Sequence, residues 1–397
     1  MLRIFALIGF FISLHSNAQN HKGDRFDIQI DTAFFEPPSK SGLSGIDFNS
    51  DTLWVYHEKE IYYTPIFEDT AWHKLSIENQ GFMPAQAFVN ALGERVFQSR
   101  QGELLIWKRE QQEDSEAFEL LPLDKKHRGK YILPNTSKEV VRSTANDYVF
   151  LLHGGSPGYL ASEKAKRIRD YYQKAKLLGV FNSEDGSFKT AFATYDSAYH
   201  QPGTQWAKDF YASYIEAKNE YWVGNLLTPR IDRYNGSQEF IGSFGDYPEG
   251  YDYSIPIIES PKERYLIGLQ HIVERHHFHD FIHTDKYVYR IFAKPAKDTT
   301  VLDKDYVRFL FIEEKDKGSC SKPNPIIKGQ NQIIRDKNLH FQIYSSSNFE
   351  FIREVKLPLK AATRYIGTSS EGKLVFTRYK NNKVILYMMN IIENDFD

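Results

Sequence analysis

The sequence predicts an all-β chain built as a six-bladed propeller, and three observations carry that prediction. Short runs of alternating apolar residues recur along the chain, each broken by turn-forming residues. Aromatic residues make up 15% of the 397 positions, with 25 Tyr, 29 Phe and 5 Trp, and such side chains suit half-buried pleated surfaces. A single stretch reads as a helix, so folds that alternate strands with helices lack their second ingredient.

The first element reads as a targeting segment. Arg3 supplies a positive start, Ile4 to Leu14 an apolar run too short to span a bilayer, and Ser16 and Ala18 the small residues ahead of a cut before Gln19. No cysteine follows that run, which speaks against a lipid anchor. The expectation is a signal peptide over residues 1–18 and one domain over 19–397, exported through a bacterial envelope to the periplasm or beyond. Removing Arg3 moves the formal charge from −2 to −3 (−2 minus 1). So balanced a chain points to neither nucleic acid nor an anionic membrane surface. No later segment is long and apolar enough to span a membrane. The one cysteine, Cys320, leaves no internal disulfide and reads as an incidental loop residue.

The repeated units follow in order. Gly45 to Ile77 gives strands around Ile46–Phe48, Leu53–Tyr56, Ile61–Ile66 and Trp72–Ile77. Ala87 to Leu123 gives a second unit, with Gln101-Gly102 turning between Val96–Gln98 and Leu104–Trp107. Val140 to Tyr195 gives a third, with Asp147 and Asp185-Gly186 as turns. Inside it, Ser162 to Lys176 holds no Gly or Pro, and Ile168, Tyr171, Tyr172 and Ala175 form one stripe. That segment reads as an inserted amphipathic helix capped by Ser162. Phe210 to Phe244 is the cleanest unit: Phe210–Ile215, Tyr221–Leu227, Arg230–Tyr234 and Gln238–Phe244, with Asn235-Gly236 as a two-residue hairpin turn.

Tyr251 to Val273 reads as an extra hairpin or a seventh, degenerate blade. His277 to Leu357 is the fifth unit, interrupted by a polar loop over Pro295 to Asn338. Arg364 to Ile391 supplies only three strands, with Asn381-Asn382 as a turn. Phe26 to Ile30 is the expected fourth, pairing the two chain ends in the last blade and leaving no free edge there. A two-sheet sandwich array is the competing architecture.

Asp285-Lys-Tyr-Val-Tyr-Arg290, Asn348 to Pro358 and the Asn-Ala before the expected cut resemble secreted bacterial propellers related to the TolB-type six-bladed fold, some of them families of unknown function. The resemblance implies a fold. It carries over no catalytic residue.

Gly154-Gly-Ser-Pro-Gly158 fits the G-x-S-x-G pattern of a nucleophile elbow, after a strand and before the expected helix. The residue after the nucleophile must donate its N–H to an oxyanion, and Pro157 has none. No catalytic residue is therefore assigned. Ser183 to Phe188 reads as a plain Asp-Gly hairpin turn. His271, His276, His277, His279 and His283 cluster. Strict alternation puts His277, His279 and His283 on one face and Asp280 on the other. His283 stands ~20 Å from His277 on an extended strand, so only His277 and His279 are weak metal candidates, and no cofactor is assigned. The first strand of a propeller blade faces the central channel, which makes its polar residues the expected ligand contacts: Asp47, Gln86, Arg142, Tyr211, His277, His279 and Arg364. The function expected is a monomeric binding or protein-interaction module of the envelope, its partner a protein or a small molecule. The alternative is a propeller hydrolase or lyase acting on a glycan or small molecule.

Overall fold

The computed structural model describes, with short internal breaks, residues 26–123, 140–152, 176–251, 271–296 and 335–393. It divides into two compact units: Met1–His153, Leu178–Ala191 and Thr363–Asp397 in the first, Gly154–Leu177 and Phe192–Ala362 in the second.

β1 (Phe26–Phe35) opens the described chain. The first blade is β2 (Leu43–Asn49), β3 (Thr52–His57), β4 (Glu60–Pro65) and β5 (His73–Ser76). The second is β6 (Pro84–Val89), β7 (Arg95–Ser99), β8 (Glu103–Arg109) and β9 (Glu116–Pro122), and the third β10 (Val140–Ser143), β11 (Asp147–Leu151), β12 (Leu178–Asn182) and β13 (Phe188–Phe192). The second unit carries the fourth blade, β14 (Phe210–Ile215), β15 (Glu220–Asn225), β16 (Ile231–Asn235) and β17 (Phe240–Phe244). It also carries the fifth, β18 (His277–His283), β19 (Tyr287–Ala293), β20 (Asn338–Ser345) and β21 (Phe351–Lys360). β22 (Arg364–Thr368), β23 (Leu374–Lys380) and β24 (Lys383–Glu393) return to the first unit and take β1 as their fourth strand. Six four-stranded antiparallel sheets make this chain a six-bladed β-propeller. β1 pairs with β24 from Phe26 opposite Glu393 to Phe35 opposite Val384, so the expected joining of the chain ends holds. No seventh sheet occurs among the described residues. No helix among them is long and apolar enough to cross a membrane.

The packing explains the apolar runs. The cores lie between successive sheets within each unit: Trp54, Tyr56 and Ile61 of the first blade pack with Phe97 and Leu105 of the second. Phe35, Val375 and Leu386 of the sixth blade pack with Phe48, Leu53 and Val55 of the first. A strand inside such a stack is covered on both faces. β3, β11 and β15 are accordingly buried almost throughout, and their sequences run apolar without alternation.

Two details depart from the sequence reading. The first strand of five blades carries a one-residue bulge against the second strand: between Leu43 and Gly45, Pro84 and Gln86, Val140 and Arg142, Phe278 and Asp280, and Tyr365 and Gly367. A bulge inserts an unpaired residue and reverses which face each later side chain takes. The Asn235 turn is also longer than expected. Gln238 donates its N–H to Asn235 O, Asn235 donates to Glu239 O, and the positive φ falls on Gln238 at 70°, not on Gly236. The same bonding recurs at Asn90–Glu94 and Ser369–Lys373, with the positive φ on Gly93 and Gly372. This is the three-residue hairpin with a left-handed third position. Asp147 opens β11 and does not lie in the turn; Thr144 Oγ1 accepts its N–H there. The turn at Asp185-Gly186 is as expected, with Gly186 at φ 69°.

The signal peptide, the helix at Ser162–Lys176, the Gly154–Gly158 loop, Cys320 and nearly all of the 295–338 insertion lie outside the described residues.

Candidate functional site: a buried polar centre in the second unit

Each of the seven proposed contact residues sits on the first strand of its blade. In the first unit, Asp47 is buried on β2, accepts the N–H of Phe48, and acts through space on Tyr56 and Arg95. Gln86 stands opposite Gln98, Arg142 is half-buried opposite Val149, and Arg364 is exposed opposite Thr377. In the second unit, Tyr211 stands opposite Gly224, and its ring lies 6.0 Å from the guanidinium of Arg290. His277 and His279 come together, with ring centroids 4.6 Å apart.

The bulge at His279 corrects the expected faces. His277 pairs with Ala293 and Asp280 with Ile291, so these two share a face. His283 pairs with Val288 and takes the opposite one, where it meets the ring of Trp222. Among the described residues, no group of three or more His, Cys, Asp or Glu gathers for a metal.

The sequence reading did not single out the most unusual residue of this unit. Arg290, in the middle of the apolar strand β19, is fully buried. Its Nη2 donates to Asn225 O at 2.8 Å and lies 3.4 Å from Thr228 O. Nε and Nη1 find no hydrogen-bond partner among the described residues, nor do the side-chain amide of Asn225 and the hydroxyl of Thr228. Gly224 makes this approach feasible: a Cβ there would stand 3.0 Å from Nη1 and 3.1 Å from Cζ. The guanidinium stacks over Phe278 at 5.0 Å. Burial pushes its pKa down to about 10, against weaker opposition from Tyr211 and Asp280, so it stays charged at neutral pH. Each unsatisfied buried donor costs about 1–3 kcal/mol, and more on a charged group. The legible signal was an Arg set among Tyr, Val, Ile and Phe; Asn225 and Thr228 gave none.

On the opposite face of β18, Lys337 holds His277. Its Nζ donates to Ile272 O at 2.7 Å, Arg275 O at 2.8 Å and His277 Nδ1 at 3.1 Å. Three donors then meet three acceptors. Burial lowers the Lys337 ammonium to about 7 and, with Lys337 beside it, holds His277 well below its ordinary range. His277 is therefore neutral, with its proton on Nε2.

Two buried carboxylates, Asp196 and Asp232, gather at Arg230. Arg230 Nε donates to Asp232 Oδ1 at 2.5 Å and lies 3.8 Å from Asp196 Oδ2. Burial raises Asp232 to about 6; Arg230 opposes this and Asp196 adds to it. The folded chain thus keeps a proton that the unfolded chain releases near pH 4. This contribution is fully present below that pH and is lost as pH rises through 6, by about 3 kcal/mol. Asp232→Asn should flatten that part of the profile. Urea midpoints at pH 4 and pH 7 measure it; an unchanged wild-type-minus-variant difference would reject the assignment.

No protein-family model matches the sequence, and no curated protein is similar to it at a significant level. Solved structures do resemble the fold. A member of the DUF4221 family from Bacteroides vulgatus matches over 92% of this chain and 99% of that one, at 9% identity and a TM-score of 0.56. Catalytically inactive virginiamycin B lyase from Staphylococcus aureus, solved with quinupristin, matches over 96% and 98%, at 12% identity and a TM-score of 0.42. The β-propeller domain of Cps50 (Swd1) from Myceliophthora thermophila matches over 96% and 99%, at 9% and 0.42. At such identities the first likeness speaks for the fold alone. The other two are too distant to bear on function.

Proposed function

We propose that this protein is an exported binding module of the cell envelope, and that its ligand is held in the second unit around Arg290. One observation carries the reading: a fully buried guanidinium has unused hydrogen-bonding capacity, and so do the buried side chains of Asn225 and Thr228, whose backbone carbonyls it meets. Buried polar groups are ordinarily satisfied, and those that are not call for a reason. Tyr211, on the first strand of the fourth blade, supplies a wall of the site. Export rests on the apolar run at Ile4 to Leu14 and the small residues before Gln19. Kinship with the TolB-type propellers rests on the motifs at 285–290 and 348–358.

A small-molecule panel read by thermal shift tests the reading, with Asn225→Leu beside the wild type. Leucine has the branching and heavy-atom count of asparagine, in a bulkier form, and none of its hydrogen bonds. Hits should raise the wild-type melting temperature by several degrees and fail in the variant. A panel without hits, or hits that all survive in Asn225→Leu, would sink the proposal.

A further inference from the structure

We infer that the Arg290 centre takes a carboxylate, a planar group of single negative charge. This deepens the proposal above and rests on it. The argument begins with charge. Arg290 is fully buried, yet its Nη2 bonds run to two backbone carbonyls and its other nitrogens have no partner among the described residues. Carbonyl dipoles and the face of Phe278 at 5.0 Å soften a buried cation without neutralising it. A bound water would satisfy single donors and leave the charge as it was. An anion answers both needs.

The surroundings select which anion. Asn225 offers an amide and Thr228 a hydroxyl, both buried and without partners among the described residues. These directional groups suit oxygen acceptors better than a spherical halide. One guanidinium balances one negative charge, so the second charge of a phosphate dianion would stay unmatched. Asp280 acts on Arg290 through space and already offsets part of its charge, which leaves still less to balance a second negative charge.

Acetate and acetamide are the probes, equal in size and differing in charge, with chloride at matched ionic strength as a control. Acetate should raise the melting temperature of the mature chain saturably by several degrees. Acetamide and chloride should not. Arg290→Met and Asn225→Ala should weaken the acetate response at least tenfold with unchanged far-ultraviolet circular dichroism, while Arg290→Lys keeps part of it. If Arg290→Met does not fold, Asn225→Ala and Arg290→Lys carry the comparison. Equal shifts with acetate and acetamide, both lost in Asn225→Ala, would overturn the carboxylate and leave a binding site standing. An acetate response that survives in every variant, or no response to any probe in the wild type, would make Arg290 a structural clamp and overturn both readings.

Discussion

Deleting residues 26–35 should leave a polypeptide that does not fold. β1 contributes Phe26, Ile28, Ile30, Ala33 and Phe35 to the buried surface. The four larger side chains are worth about 1.5–3 kcal/mol each, which together rivals the 5–15 kcal/mol that holds a typical domain. The loss extends to β24, which pairs with β1 from Val384 to Glu393. Val384, Leu386, Met388 and Met389, all buried, would be uncovered, and a long row of N–H and C=O groups would lose its partners. Such an edge invites association with other chains. The expected result is insoluble protein, or soluble protein with no near-ultraviolet circular dichroism and no cooperative melt. A truncated chain melting within a few degrees of the full one would show that β1 is dispensable to the sixth blade.

That prediction was legible in the sequence, because a blade with three strands at one terminus and an orphan strand at the other has one economical solution. Most blade boundaries were legible for a related reason: Asn, Asp, Gly and Ser mark turns whatever the tertiary context, although Ala361-Ala362-Thr363 between the fifth and sixth blades carries none of them. What escaped was set by pairing across strands. Strict alternation placed His283 with His277, and the bulge at His279 separated them. Nothing in the residues from Phe278 to Asp280 announces a bulge, since it arises from how β18 bends against β19. The Asn235 turn escaped for a similar reason, its positive φ being carried by Gln238 and not by the adjacent glycine. Arg290 was visible only as an oddity of composition. That it is fully buried depends on the missing side chain of Gly224 on the neighbouring blade, and no local window contains both residues.

Trp222→Ala should lower the unfolding free energy by about 3–5 kcal/mol, the range for truncating a fully buried large aromatic. Trp222 has no exposed surface. Its ring meets Phe244 at 5.2 Å, Phe281 at 6.1 Å, His283 at 5.3 Å and Phe349 at 5.5 Å, and Nε1 donates to Glu220 Oε2 at 2.8 Å. Glu220 keeps both bonds from Arg233, so the packing and not the orphaned acceptor dominates the cost. Trp222→Phe separates the two effects: it retains an aromatic ring and should cost about 1–2 kcal/mol. Urea unfolding at constant m gives both values. Trp222 and Gly224 lie on one face of β15, as Val288 and Arg290 do on β19. The seam between these two blades therefore changes from apolar to charged within two residues. The apolar end, shared by Ile215, Trp222 and Ile231 with Phe281, Val288 and Tyr344, holds the seam closed against the cost of the charged end. Trp222→Ala should thus lose stability and keep its acetate response, while Asn225→Ala does the reverse. A loss below about 1 kcal/mol in Trp222→Ala would place the strength of this seam elsewhere.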